Sequence, residues 1–246
     1  MRPRFGTVLA LAIMGGVLFP APVALGQLQT GPLDHFQCYK ARFSAFGQET
    51  VQIHEGNTDY DATVGKAAWF CNPVKKKHAG TTTKVLDQND HFVWYRIEAP
   101  EWPGAEFPVR NQFGEAQQMK ITDRAYLAVP TRKKPHGDPG ELDHNVCFTA
   151  TGDAVNAKVG LRDQWLRRKT AVIAPRAVCV PVQKTHDGQV FAPQNPYVYQ
   201  VCYATKAYRF PRDDRPRAKF RNQFGNGKVT GVKALLLCVP SYPPGV

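Results

Sequence analysis

The stretch "LLLCVPS", Leu235–Ser241, decides the fold because the chain writes it four times. It occurs as "WFCNPV" at Trp69–Val74, as "AVCVPV" at Ala177–Val182 and, with Ala128 where the cysteine should stand, as "YLAVPT" at Tyr126–Thr131. An opening phrase precedes each one: "DHFQCYK" (Asp34–Lys40), "DHFVWYR" (Asp90–Arg96), "DHNVCFT" (Asp143–Thr149) and "VYQVCYA" (Val198–Ala204). Its anchor position holds Cys38, Trp94, Cys147 and Cys202, at intervals of 56, 53 and 55 residues. Between opening and close lies "VRNQFG" (Val109–Gly114), "LRDQWL" (Leu161–Leu166) or "FRNQFG" (Phe220–Gly225), worn in the first copy to "VQIHEG" (Val51–Gly56). Self-similarity at a fixed period marks a repeat architecture. Four copies of about 55 residues account for nearly all of the chain beyond its start.

The missing cysteine indicates the covalent pairing. Six cysteines allow 15 connectivities. The second copy lacks both of its cysteines, at Trp94 and Ala128. Bonds between copies would leave partners stranded elsewhere; loss of a bonded pair strands nothing. The favoured bonds are therefore Cys38–Cys71, Cys147–Cys179 and Cys202–Cys238. Each closes a loop of more than 30 residues, worth about 3–4 kcal/mol in a chain-entropy account. In the second copy Trp94 fills the space opposite small Ala128, conserving core volume.

The first 26 residues read as a secretory signal peptide. Arg2 and Arg4 precede the apolar run Val8–Phe19, Pro20 and Pro22 break it, and Ala24-Leu25-Gly26 offers small residues for cleavage. The run is too short for a bilayer, which needs about 20 residues. The mature chain is then Gln27–Val246, secreted or periplasmic, with no transmembrane segment. Losing Arg2 and Arg4 takes the net charge from +12 to +10. An even cysteine count in an exported chain indicates disulfides.

The phrases "DHFQCYK", "NQFG" and "LLLCVPS" together resemble an uncharacterised bacterial domain of unknown function, a recurrent module of exported proteins. That resemblance spans roughly residues 34–243. It implies export and repetition, and it carries no assigned reaction.

The expected fold class is all-β: tandem disulfide-stapled β repeats pairing into sandwich- or barrel-like modules. "HFQCYKARF" and "FVWYRIE" are rich in aromatic and branched residues, as strands are. Phe36, Cys38 and Lys40 share one face; His35, Gln37 and Tyr39 share the other. Asn226-Gly227 is a hairpin turn signal. Three or four strands per copy follow. The simplest grouping is a module of copies 1 and 2 (residues 27–138) and one of copies 3 and 4 (139–246), joined at Thr131–Glu141; a closed four-blade arrangement is the alternative.

Chemistry is mostly absent from the motif list: no nucleophile elbow, no His-Glu-x-x-His, no phosphate loop and no dinucleotide fingerprint occur. Asp34-His35, Asp90-His91 and Asp143-His144 could supply zinc ligands if three copies converged, but the better reading is Asp making a local backbone bond at a strand start. Arg110-Asn111-Gln112-Phe113, Arg162-Asp163-Gln164-Trp165 and Arg221-Asn222-Gln223-Phe224 read as a repeated turn in which Asn or Asp bonds its own backbone and the aromatic enters the core. Basic clusters follow the closing phrase as Lys75, Lys76, Lys77 and as Arg132, Lys133, Lys134, with others at Arg167-Arg168-Lys169 and from Arg212 to Arg221. A bias of this size favours anionic partners. The expectation is a non-catalytic structural or binding protein of the cell envelope. It needs no cofactor or metal and engages acidic polysaccharide or an anionic envelope surface through those two clusters. A self-associating surface-layer or filament component is the alternative, and a hydrolase with a site between repeats ranks third. Nucleic acid is not an expected partner of an exported chain.

Overall fold

The computed structural model describes residues 33–243; the segment read as a signal peptide lies outside the described residues. Copy 1 supplies β1 (Phe36–Phe43), β2 (Glu49–Glu55), β3 (Thr58–Pro73), β4 (Lys75–His78) and β5 (Thr81–Thr83). Copy 2 supplies β6 (Phe92–Glu98), β7 (Ala105–Asn111), β8 (Gly114–Pro130) and β9 (Arg132–Lys133). Copy 3 supplies β10 (Asn145–Gly152), β11 (Ala157–Arg162), β12 (Arg167–Pro181), β13 (Gln183–His186) and β14 (Gln189–Phe191). Copy 4 supplies β15 (Tyr199–Arg209), β16 (Arg217–Asn222) and β17 (Gly225–Ser241). Copies 1 and 3 exceed the expected three or four strands because the segment after their closing phrase folds back as a hairpin, Lys76 opposite Thr83 and Lys184 opposite Phe191.

In every copy the opening phrase pairs with its own closing phrase. Cys38 faces Cys71, Trp94 faces Ala128, Cys147 faces Cys179 and Cys202 faces Cys238 in the antiparallel register. The three cysteine pairs are disulfides, with Cα atoms 4.1, 3.9 and 3.9 Å apart. Each long strand also pairs with the opening strand of the next copy: β3 with β6, β8 with β10, β12 with β15, and β17 back with β1. The ladder β1-β3-β6-β8-β10-β12-β15-β17 therefore closes into a ring of eight strands. This corrects the grouping into modules 27–138 and 139–246. The pairings β8–β10 and β17–β1 cross that boundary, since an open edge on either half would leave backbone groups unpaired. The closed arrangement of four copies is the one found.

Alternation along the strands divides the apolar residues into two sets. One face carries the disulfides, Phe36, Phe92, Trp94 and Ala128 in a single cluster. Phe36 and Phe92 touch at 5.0 Å although β3 lies between their strands, so this face is the concave interior. The other face carries Phe70, Tyr95, Leu127, Val146, Val178, Tyr203 and Leu237, packed with residues of the four peripheral hairpins such as Ile53, Val109, Leu161 and Val229. The interior is stacked in layers. Phe36 and Phe92 lie at one end and the disulfides with Trp94 in the middle. Four cross-strand pairs form the other end: Lys40–Trp69, Arg96–Tyr126, Thr149–Ala177 and Ala204–Leu236.

Each long strand bends at the same place. On the side facing the neighbouring copy, the ladder skips Ala68, Ala125, Arg176 and Leu235, each three residues before the Cys or Ala of the closing phrase. Such a bulge kinks a strand and re-aims its side chains. The half before the kink forms a hairpin with the short strand: β2–β3, β7–β8, β11–β12 and β16–β17. These hairpins do not serve their own copy. The tail β4 of copy 1 pairs with β11 of copy 3, β9 of copy 2 with β16 of copy 4, and β13 of copy 3 with β2 of copy 1. Tyr242, after copy 4, bridges to Arg110 of copy 2. Every copy is thus completed by the copy two places along.

The repeated turn behaves as its composition implies. The side-chain oxygens of Asn111, Asp163 and Asn222 accept from the backbone N–H two residues on, at Phe113, Trp165 and Phe224. Asn226-Gly227 is not the turn. Copy 4 turns at Gln223-Phe224, flanked by the pair Asn222–Gly225, and Gly225 sits at φ 108°, a backbone setting open chiefly to glycine. Gly227 is instead a strand residue whose missing side chain admits the Phe220 ring: a Cβ there would lie 2.4 Å from it.

Candidate anion-binding face

Alternation along a strand separates the basic clusters. In "KKK", Lys75 and Lys77 are exposed on β4 while Lys76 between them is 1% exposed. In Arg132-Lys133-Lys134, Lys133 is likewise buried. Lys76 Nζ lies 3.1 Å from His35 Nε2, and 5.8 Å from the centre of the Phe113 ring. Lys133 Nζ donates to Asn72 Oδ1 at 3.2 Å and to Gln164 Oε1, and lies 5.2 Å from the Trp165 ring centre. Burial lowers both ammonium groups to about 8. Lys76 and Lys133 are therefore not part of an anion-binding surface. This corrects the expectation that all six residues face an anionic partner, because the two-residue period of a strand turns the middle residue of each run inward.

The exposed cations meet new partners. β4 lies antiparallel to β11, placing Lys75 opposite Arg162 and Lys77 opposite Gly160. β12 continues the row, with Arg167 opposite Arg162 and Lys169 opposite Gly160. Lys75, Arg162 and Arg167 run in one line across three strands; Lys77, Gly160 and Lys169 run in the next. Strands stand about 4.8 Å apart and alternate residues about 6.8 Å apart, so cations cover the face at the spacing of the sheet. The cleft there, about 590 Å³, is lined by Lys75, Lys77, Thr82, Gly160, Leu161, Arg162, Arg167, Arg168 and Lys169, with no acidic residue among them. Arg168 points the other way. Its guanidinium donates to Gln37 Oε1, Thr205 Oγ1 and the Lys206 carbonyl, tying the hairpin down.

A second face repeats the pattern one copy on. Arg132 lies opposite Arg221, the Lys134 N–H donates to the Lys219 carbonyl, and Lys219 faces Lys228. Asp138 offsets part of this charge, 3.6 Å from Arg132. The corresponding face of copy 1 is of opposite character: Gln183–His54–Asp59 in one row and Thr185–Gln52–Asp61 in the next. The hairpins of copies 3 and 4 are cationic and that of copy 1 is not. The two clusters of the sequence reading thus sit on separate three-stranded sheets, completed by Arg162, Arg167, Lys169, Arg221, Lys219 and Lys228. The first three were legible as Lys158-x-Gly160-x-Arg162 and Arg167-x-Lys169, basic residues at strand period.

The Asp-His pairs do a different job from metal binding. The Asp34 carboxylate accepts from the N–H groups of Leu86 and Asp87, Asp90 from Gly140, and Asp143 from Gln194 and Asn195. Each holds the linker that leads into the next copy, so the bond is to backbone, as read, but some 50 residues away. Copy 4 has Val198 at this place and makes no such bond through it. The histidines are buried apart: burial and the nearby lysine push His35 and His144 down to about 3, and His91 to about 2. Among the described residues no group of three or more His, Cys, Asp or Glu is placed to hold a metal ion.

The sequence matches the family described as "Repeat of unknown function (DUF7450)" over residues 91–240, more than half of its 246. The chain belongs to this family. The matched region begins at His91 of the second copy's opening phrase and ends at Pro240 of the fourth copy's close, so the family signature covers three of the four copies. No curated protein and no solved structure matches the chain. The three disulfides fit an oxidising, extracytoplasmic environment, and no helix among the described residues is long and apolar enough to cross a membrane.

Proposed function

We propose that this protein is an exported, non-catalytic binding protein of the cell envelope, secreted or periplasmic, that engages acidic polysaccharide or an anionic envelope surface. The observation that carries the reading is the three-stranded cationic face of β4, β11 and β12, which presents Lys75, Lys77, Arg162, Arg167 and Lys169 with no acid in its lining. An extended polyanion with charges at regular spacing matches rows of cations fixed by strand pairing better than a compact anion does. Placing the cations on paired strands fixes their backbones in advance, which removes the backbone part of the ordering cost that a loop would incur. Exposed charges act mainly through attraction that salt screens within about 8–10 Å, so binding is expected to weaken steeply with ionic strength.

The test replaces Lys75, Lys77, Arg162, Arg167 and Lys169 by Gln, leaving buried Lys76 intact. Wild type and variant are compared on heparin and on an immobilised uronic-acid polymer with a salt gradient. The expected result is retention of the wild type at low salt and earlier elution of the variant, with unchanged melting. A wild type that flows through at low salt, or a variant that elutes with it, overturns the proposal.

A further inference from the structure

The open end of the eight-stranded ring holds a second site, distinct from the cationic face. A cavity of about 400 Å³ opens there, lined by residues of seven of the eight ring strands. That is the low end of the range for small-ligand sites. Its two sides differ. On the side of copies 1 and 2, Trp69, Trp94 and Tyr126 form a continuous aromatic wall, with ring centres 6.3 Å apart between Trp69 and Trp94 and 5.8 Å between Trp94 and Tyr126. This wall exists because copy 2 has no disulfide: Trp94 occupies the cysteine position, 1% exposed, and props the two half-buried rings above it. The side of copies 3 and 4 is aliphatic, with Ala177, Ala204, Leu235 and Leu236, and carries the exposed hydroxyl of Thr149; Thr205 there is buried and its hydroxyl accepts from Arg168.

The lining holds one cation, Arg176, and no acidic residue, and two further cations flank it in register. Lys40 and Arg96 are exposed and occupy the register positions beside Trp69 and Tyr126, and the Arg96 guanidinium lies 5.6 Å from the Tyr126 ring centre. Arg176 joins the lining because it is a bulge residue, turned out of the normal alternation. The floor is shut by the disulfide layer, whose six cysteines are at most 1% exposed. A long acyl chain has no depth to enter. A single ring that lays an apolar face on the aromatic wall, offers a hydroxyl to Thr149 and directs a carboxylate at Arg176 and the flanking Lys40 and Arg96 fits this mouth.

We infer that the mouth of the ring binds one carboxylated sugar ring, a hexuronate unit. The choice of a sugar acid over another ring acid rests on the acidic-glycan reading above. The experiment uses the full oxidised protein, calorimetry and tryptophan fluorescence, with glucuronate, glucose, acetate and benzoate as probes. Saturable binding of glucuronate is expected, at least about tenfold tighter than glucose or acetate, since both the ring and the charge contribute. Tyr126→Ala and Arg96→Gln should each weaken it about tenfold in protein that still unfolds cooperatively, with the aromatic truncation also lowering the melting point, and Trp69→Ala, followed by calorimetry, should do the same. Absence of saturable glucuronate binding, equal binding of glucose or acetate, tighter binding of benzoate, or full binding by Tyr126→Ala and Arg96→Gln would each overturn the inference. Replacing the five cations of the β4–β11–β12 face should leave glucuronate binding as in wild type. If polymer retention fails while glucuronate still binds, the proposed function falls and this site stands.

Discussion

At the scale of the residue, the repeats co-vary in pairs that the fold brings together. The residue after the anchor is Tyr39, Tyr95, Phe148 or Tyr203, and it meets the turn of the copy two places along. Tyr39 donates to Asp163 Oδ2 at 2.7 Å, Asn222 Nδ2 lies 3.0 Å from the Tyr95 hydroxyl, and Asn111 Nδ2 donates to the Tyr203 hydroxyl at 2.8 Å. Copy 1 has Ile53 in place of the Asn, and copy 3, which it serves, has Phe148 in place of the Tyr; both lie in one apolar cluster. The worn turn of copy 1 is therefore matched by its partner. Phe148→Tyr should destabilise by about 1–3 kcal/mol by burying a hydroxyl with no acceptor, and adding Ile53→Asn should recover part of the loss. A double variant no better than the single one in urea unfolding would count against this pairing. Gly225→Val tests the turn itself. Positive φ makes it cost more than an ordinary surface change, and an unchanged melting temperature would show that the turn relaxes freely.

Among the elements, the disulfide ladder and the strand class were readable from sequence because both depend on contacts within one copy, about 33 residues apart. Peptide mapping of exported protein under non-reducing conditions should recover Cys38–Cys71, Cys147–Cys179 and Cys202–Cys238, and a free thiol or any bond between copies would contradict the register. The partner of each hairpin was not readable, because it lies two copies away and periodicity says nothing about which copy meets which. The one available signal was the joint change of Ile53 and Phe148 against the Asn–Tyr pairs. The basic face was half readable. Its lysines were visible as runs, but burial of Lys76 and Lys133 required the strand period, and Arg162 had been absorbed into a turn motif. The aromatic mouth was missed because Trp69, Trp94 and Tyr126 belong to three strands and meet only when the ring closes.

For the whole molecule, closure predicts all-or-none folding. A fragment of residues 27–138 loses the pairings β8–β10, β1–β17, β4–β11, β9–β16 and β2–β13, so it should lack the near-ultraviolet circular dichroism and sharp melting of the full chain. Cooperative unfolding by the fragment alone would restore the two-module view. The buried bases set the pH response. Lys184, fully buried, is lowered by burial to about 7, and Lys76 and Lys133 to about 8. Between those values and about 10 the unfolded chain binds more protons than the folded one, so stability rises with pH. His35, His91 and His144 act in the same direction from about 3 to about 6.5, opposed in part by Asp90, which burial raises to about 6. The denaturation midpoint should therefore climb from pH 6 to pH 9, and Lys184→Met should flatten the climb; a midpoint that is level or falls over that range would show these groups are hydrated after all.

The pairing of each tail with the hairpin two places along fixes how such a gene can change length. An open array of repeats can gain or lose one unit, since each contacts only its neighbours. Here deletion of one unit would leave three, and the second unit along would also be the one just before, so tails and hairpins would have to meet at a different angle. Insertion of a fifth would widen the ring and separate the partners. Unequal crossing-over between the copies should therefore yield unfoldable products in either direction, and the number four is held by geometry, while the residues within each copy remain free to drift in matched pairs.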